Sequence, residues 1–529
     1  MAMTDLERLE WDILRLINEA RANPQKALED RGLGAKYDPA KYPPRRPLRM
    51  NIALRGAAQE HAQRMADRGG LPEHTIDGVN DLNEGADAYQ EQFGVRPLMW
   101  AVAHQHGGFS SESDAERTVK GWLTSDTGHR DYILGYTLDW SGVYRDTFLI
   151  GLGARWADSG DLYVDGLIGN GTTGFVDLYV RDNNADTGLV PTTGVTFESP
   201  DIHLYKDAAR SEERLNPEYG EDNYVFVTVH NAGTKASNQF TVELYWADPG
   251  TNLLFPDAWH ADGISSATNG NAIAGSGVPP NEGALDIGPF VWRPPSPETL
   301  VRGDGHFCLF ARVLSDEDPI MHETNVLERE YENNLAQLNV TVVDEIGNGE
   351  DSFPIIIGPG GSQVDVKLDP GQLPQDGGKV YLRLRSRFLE GAKLRGIKVS
   401  ETTPGGQITT LVCKSSGPYI LENLQFAKGE VCEAELQLRL PAKGKEGATY
   451  PVRVTQTIDG RPVGAVTVVA RYFTNPTYIG NKSTGELHLP SCQWVGRMSP
   501  RNKKPLSDFD AAHKKGYDNC ATCLGGSKR

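Results

Sequence analysis

Four residues near the C-terminus of this 529-residue chain have the types and spacing to do chemistry together. His488 and Cys492 form an H-x3-C pair, and after a loop of 27 residues Cys520 and Cys523 form a C-x2-C knuckle. Two close pairs of this kind suit a tetrahedral zinc, because each pair offers two donors from one turn and the ion cross-links the turns. Four protein ligands leave no open coordination position, so the zinc expected here is structural. The same residues are also compatible with a free-thiol tail or a Cys520–Cys523 redox pair. A segment of about 45 residues buries little apolar surface, and a metal can supply roughly 10–16 kcal/mol of apparent folding free energy to such a unit.

The elements that must position chemistry differ along the chain. Over residues 4–170 the pattern is α/β. Leu6, Leu9, Ile13, Leu16, Ile17 and Ala20 recur at helical spacing up to Asn23-Pro24. A second stripe carries Leu54, Ala57, Ala58, His61, Ala62 and Met65 and stops at Gly69-Gly70, which makes His61 a core residue. A third carries Ala115, Val119, Trp122 and Leu123, and two strands then flank an Asp158–Asp161 turn. From about 175 the helical period disappears. Tyr224–Asn231 and Phe240–Trp246 are strong β runs, and alternation returns at Val380, Leu382 and Leu384 and again at Ala434, Leu436, Leu438 and Leu440. Asp459-Gly460 between two β-prone runs is a hairpin signal. Asp182-Asn-Asn-Ala-Asp-Thr-Gly188 has oxygen spacing compatible with calcium, although a polar turn is the favoured reading.

Composition limits the function classes. A formal charge of -18 argues against a nucleic-acid binder, since phosphate binding needs positive faces. No run approaches the roughly 20 apolar residues of a transmembrane helix. The residues Met1–Arg8 show neither a basic nor an apolar leader segment, so no signal peptide is expected. Six cysteines do not make a disulfide framework; Cys308, Cys413 and Cys432 read as buried apolar filler, with a Cys413–Cys432 bridge as the minority alternative. The tail is basic within an acidic chain, through residues such as Arg497, Lys503, Lys504 and Lys514.

Four stretches in order resemble the CAP superfamily in its bacterial SCP-like branch. They are Ile13–Asn23, Ala57–Ala66, Glu73-His-Thr-Ile-Asp-Gly78, and Gly121-Trp-Leu-Thr-Ser-Asp-Thr-Gly-His-Arg-Asp-Tyr-Ile-Leu134. The resemblance covers about 170 residues and implies an α-β-α sandwich with a surface cleft, where two histidines and two acidic residues bind a divalent metal in some members. His74 and His129 match the histidine positions, and neutral imidazoles on opposite walls can share a metal or hold a water. The plainer readings are an exposed loop histidine and a helix-terminal histidine. The acidic partners depart from the pattern: Glu84 is the nearest candidate, and Glu116, six residues before Trp122, either joins the cleft or caps its helix. A second divalent metal in the cleft is therefore an expectation that the resemblance raises and the degraded tetrad weakens.

Two more resemblances complete the organisation. Val227-Thr-Val-His-Asn-Ala-Gly233 is similar to adhesion-type Ig-like modules of bacterial surface proteins, and Tyr478–Cys523 resembles the Ada-type metal-binding fold in its entry and exit motifs. The expected architecture is a CAP domain over 1–172, antiparallel β-sandwiches over 175–346 and 350–475, and a zinc-stapled domain over 476–529. The leading functional reading is an effector or envelope-acting protein whose cleft engages a lipid, cell-wall or peptide ligand, with the sandwiches as spacers. The alternatives are a peptidase-like hydrolase using His74 and His129, and a non-enzymatic cargo or structural component of a secreted or contractile-injection particle. A protein partner through the sandwiches or the basic tail is one reading, with a solvated face as the favoured reading of the tail's charges. Delivery outside the cell by a route independent of a signal peptide is the expected location, with the cytoplasm as the alternative.

Overall fold

The computed structural model describes all residues except 1–3, 81–94, 107–112, 127, 137–148, 172–173, 215–216, 218–221, 296–306, 322–329, 347–349, 359–363, 374–376, 414–418, 428, 442–443, 446, 459, 474–475, 499–501, 507–508 and 528–529. The chain is multidomain and mostly β-sheet, with its main helices at the front. Among the described residues, no helix is long and apolar enough to cross a membrane.

The three apolar stripes form helices Asp5–Ala22, Ile52–Arg68 and Asp114–Thr124. Each starts at a side-chain cap: Thr4 with Glu7 and Ser113 with Glu116 form reciprocal capping boxes, and Asn51 Oδ1 accepts from the amides of Ala53 and Leu54. Between the helices lies a four-stranded sheet in the order Arg49–Met50, Leu149–Trp156, Asp161–Gly171, Val95–His106. Sequence periodicity does not predict the last strand; its pairing partner Asp161–Gly171 organises it. One face of the sheet, with Ile150, Leu152, Leu162 and Val164, packs on Trp11, Ile13, Val119 and Trp122. The other face, with Leu149 and Leu167, packs on Leu54, Ala57 and Ala58.

Two glycines allow the second contact. A Cβ on Gly151 would stand 2.0 Å from the Leu54 carbonyl carbon, and one on Gly153 2.2 Å from that of Ala58. Helix Ile52–Arg68 therefore lies with its backbone directly on the strand. Gly153→Ala is expected to push that helix off the sheet and lower the stability of this unit by about 3 kcal/mol, the upper range for overpacking. Thermal unfolding checks this, and an unchanged first transition would contradict the close contact.

Beyond residue 175 two sheets share one apolar cluster. The first has the strand order Ile264–Ser265, Gly283–Trp292, Asn223–Asn231, Ile202–Tyr205, Glu213–Arg214, and the second Ala272–Ser276, Gln239–Ala247, Cys308–Leu314, Leu335–Leu338. Val225, Val227 and Val229 from one meet Val242, Leu244 and Val313 from the other. A further pair of sheets follows, with Val366, Val452 and Val468 packed on Leu382, Leu411 and Leu436. Thr449–Ile458 and Arg461–Phe473 form the hairpin, with Ile458 opposite Arg461 and Gly460 at φ 77° supplying the left-handed turn residue. This sheet also takes in Val340–Ile346, paired parallel to Arg461–Phe473. These residues thus satisfy backbone groups on the strand Arg461–Phe473. Cys413 and Cys432 are free, and burial pushes both thiols up to about 12.

Ion pairs and hydrogen bonds tie the units together. Arg49 Nε lies 2.9 Å from Asp177 Oδ2, Arg453 Nη2 2.5 Å from Glu198 Oε1, and Thr251 donates to Gln456 Oε1 at 2.7 Å. The Asp182–Gly188 segment is a turn whose Asp186 carboxylate accepts from the amides of Asp182 and Gly188, both at 2.8 Å. Its side chains serve the backbone, as a polar turn would.

Candidate functional site

Two constellations emerge, one at each end. In the tail, Tyr478–Asn481 pairs with Glu486–His488 and with Lys503–Leu506, while Asp518–Asn519 lies parallel to Glu486–His488. That parallel pairing brings the two ligand pairs together. His488 ends one strand, and the Cys492 amide donates to the Leu489 carbonyl in the turn that follows. Cys520 leaves the adjacent strand with its amide bonded to the Leu487 carbonyl at 2.8 Å, and Cys523 closes the next turn. Gly480 clears the space for this arrangement, since a Cβ there would stand 2.6 Å from the Tyr517 ring.

The ligand atoms of His488, Cys492, Cys520 and Cys523 all lie within 4.8 Å of one another. Tetrahedral zinc with three sulfurs and a nitrogen needs bonds of about 2.3 and 2.0 Å, which fit inside that span. His488 is 1% exposed, and neither of its ring nitrogens has a hydrogen-bond partner among the described residues. Buried polar nitrogens without partners are costly, and a metal satisfies one of them. Burial lowers the His488 pKa, favouring the neutral ring that a metal ligates. Burial also pushes the Cys523 thiol up to about 12, whereas at Cys520 the amides of Thr522 and Cys523 outweigh burial and bring the thiol below its usual value. A coordinated cation deprotonates such thiols outright. The arrangement is compatible with a closed zinc site, and it is the cluster of three or more His, Cys, Asp or Glu donors found among the described residues.

At the front, His74 and His129 come together with ring centroids 6.1 Å apart and planes at 69°. His129 opens the short helix His129–Ile133, preceded by Gly128 at φ 117°, where the Tyr132 ring leaves little room for a side chain. Arg130 Nη2 binds Asp126 at 2.9 Å, and Asp131 accepts from Lys41 at 2.9 Å and from the Tyr42 hydroxyl at 2.5 Å. These contacts anchor the helix and leave His129 to face His74. On the opposite wall, His61 is fully buried and its Nε2 lies 2.9 Å from the Glu73 carbonyl, fixing the residue before His74. Both histidines are half-buried.

The acidic partners are not assembled in the same way. Glu84 lies outside the described residues. Glu116 is engaged in capping, with its Oε2 accepting from the Ser113 amide at 3.0 Å, so the capping reading holds for it. Burial, and then the proximity of His74, lower the His129 pKa. A depressed folded-state value contributes stability above the unfolded pKa of about 6.5 that is lost as pH falls through the folded value. His129 is therefore expected to titrate below 6.5 when followed by NMR of its ring protons, with this unit losing stability on acidification; titration above 6.5 would contradict this.

Sequence reading missed a buried ion pair in the same unit. Glu10 is fully buried and accepts from Arg55 Nε at 2.8 Å, Gln59 Nε2 at 2.9 Å and the Ala154 amide at 3.0 Å. The edge partner of strand Leu149–Trp156, Arg49–Met50, pairs only with Leu149 and Ile150, so Glu10 serves the amide beyond it. No local motif signals this, because the three partners come from distant segments.

Residues 14–146 match the model of the CAP family, described as the Cysteine-rich secretory protein family. No curated protein matches the chain. Three solved structures show faint likeness. AvmM, which catalyses macrocyclization in alchivemycin A biosynthesis, is 11% identical over 25% of this chain and 85% of its own, with a TM-score of 0.14. A family 123 glycoside hydrolase from Clostridium perfringens is 12% identical over 27% of this chain and 24% of its own, with a TM-score of 0.15. The CupB6 tip adhesin from Pseudomonas aeruginosa is 11% identical over 52% of this chain and 98% of its own, with a TM-score of 0.13. At such scores these structures carry no argument about this chain.

Proposed function

We propose that this chain, whose N-terminal unit is a CAP domain, is a modular binding protein in which the His74/His129 cleft takes up a lipid, cell-wall or peptide ligand. The carrying observation is the juxtaposition of the two half-buried imidazoles at 6.1 Å. Two walls 55 residues apart in sequence are each fixed by their own hydrogen bonds, so the rings are held in place rather than meeting by chance. Neutral imidazoles at this spacing can together hydrogen-bond one polar group of a ligand while the rest lies along the cleft. The β-rich units act as spacers, and Ig-like sandwiches are the architecture that their shared apolar clusters support. The tail quartet holds a structural zinc.

The test is capture of ligand from bacterial lipid extract, peptidoglycan fragments and peptide mixtures, read by native mass spectrometry. The full chain is expected to retain one ligand class, and His74→Ala and His129→Ala to lose it by about tenfold or more with folding unchanged. Equal retention by all three proteins would overturn the cleft as the binding site.

A further inference from the structure

We propose that the groove between the CAP domain and the unit that follows it binds a small zwitterion of the α-amino-acid type. A cavity of about 250 Å³ opens there, lined by Arg46 and Arg49 on one side and by Phe175, Thr234, Asn281 and Glu282 on the other. Room on this scale suits a molecule of on the order of ten non-hydrogen atoms.

The polar groups in the wall divide into those already engaged and those that are free. Arg49 is engaged, since it binds Asp177 Oδ2 and the carbonyls of Gly188 and Thr187 and so fastens the two units. Arg46 is exposed, and its guanidinium has no partner among the described residues. Glu282 receives the Tyr179 hydroxyl on Oε2 at 2.6 Å, which leaves Oε1 without a hydrogen bond among the described residues. Thr234 Oγ1 accepts from the Phe175 amide at 3.2 Å and keeps its own proton to donate. The Asn281 side-chain amide has no partner among the described residues.

One cation, one anion and two neutral polar groups around one small space match a ligand that carries a carboxylate and an ammonium. Arg46 pairs with the carboxylate and Glu282 with the ammonium, both through charge-assisted hydrogen bonds. Asn281 and Glu282 stand at φ 57° and 65° in the turn that leads into the strand Gly283–Trp292. Their amides donate to the carbonyls of Gly233 and Asn231, both at 2.9 Å, which holds the pair rigid at the groove.

Isothermal titration of the full chain with glycine, L-alanine and D-alanine, and with acetate and ethylammonium as half-ligands, tests the proposal. At least one amino acid is expected to bind with millimolar or tighter affinity, each half-ligand about tenfold more weakly, and Arg46→Gln and Glu282→Gln each to weaken binding about tenfold. Both side chains border solvent, so thermal unfolding of the variants should match the parent. No heat from any of the amino acids would overturn the proposal. So would acetate binding as tightly as alanine and unaffected by Glu282→Gln, which would mark an anion site only.

Discussion

Chelating the divalent ion, or replacing Cys520 by Ser, is expected to unfold residues 476–529 while the rest of the chain stays folded. Among the described residues, the apolar cluster of the tail holds Leu487, Leu506 and Ala512 as buried members, with Tyr478, Phe509, Tyr517 and Leu524 partly buried against it. So small a cluster offsets little of the entropy of ordering the segment, and the proposed zinc would supply roughly 10–16 kcal/mol of apparent folding free energy. Without it His488 is a buried imidazole lacking hydrogen bonds, and the parallel pairing of the Glu486–His488 and Asp518–Asn519 strands loses its cross-link. Limited proteolysis in chelator should cut within the tail and leave a resistant fragment covering the preceding units. A tail that stays protected in chelator and in the Cys520→Ser variant would contradict the staple.

Arg55→Met should destabilise the CAP domain by about 3–5 kcal/mol, the usual cost of stranding one partner of a buried pair. Glu10 is fully buried and its carboxyl is pushed up by burial, with Arg55 opposing that shift. Removing Arg55 raises the folded-state pKa further above the unfolded value. The stability of the variant is then fully kept below the unfolded pKa and lost as pH rises through the folded one, so it should be less stable at pH 8 than at pH 5. Adding Glu10→Gln should recover most of the loss and flatten the pH dependence. Denaturant unfolding at the two pH values decides; a variant as stable as the parent at both would show that the pair is not coupled.

Legibility followed how local each signal is. The clustering of the tail quartet was readable because paired His and Cys donors declare themselves by spacing within single turns, as His488-x3-Cys492 does. Helices Asp5–Ala22 and Ile52–Arg68 were readable from the 3.6-residue period and their caps. Motif resemblance picked out His74 and His129, which the fold brings together, but only the fold could show that Glu116 is spent on Ser113. Strand Val95–His106 was not found, since its run of Ala101, Val102 and Ala103 gives no clear alternation and its place depends on Asp161–Gly171. Nor was the capture of Val340–Ile346 by the following sheet, because a parallel pairing with residues over a hundred positions away leaves no local trace. Glu10 with Arg55, and the groove at Arg46 and Glu282, are likewise products of long-range assembly.

The tail's claim to a zinc centre is the most exposed to direct test. X-ray absorption at the zinc edge, with metal stoichiometry on the same sample of the full chain, should give one zinc per chain. Its shell should hold three sulfurs at about 2.3 Å and one nitrogen at about 2.0 Å, and it should be lost in Cys520→Ser. An oxygen-dominated shell, or zinc retained unchanged in that variant, would contradict it.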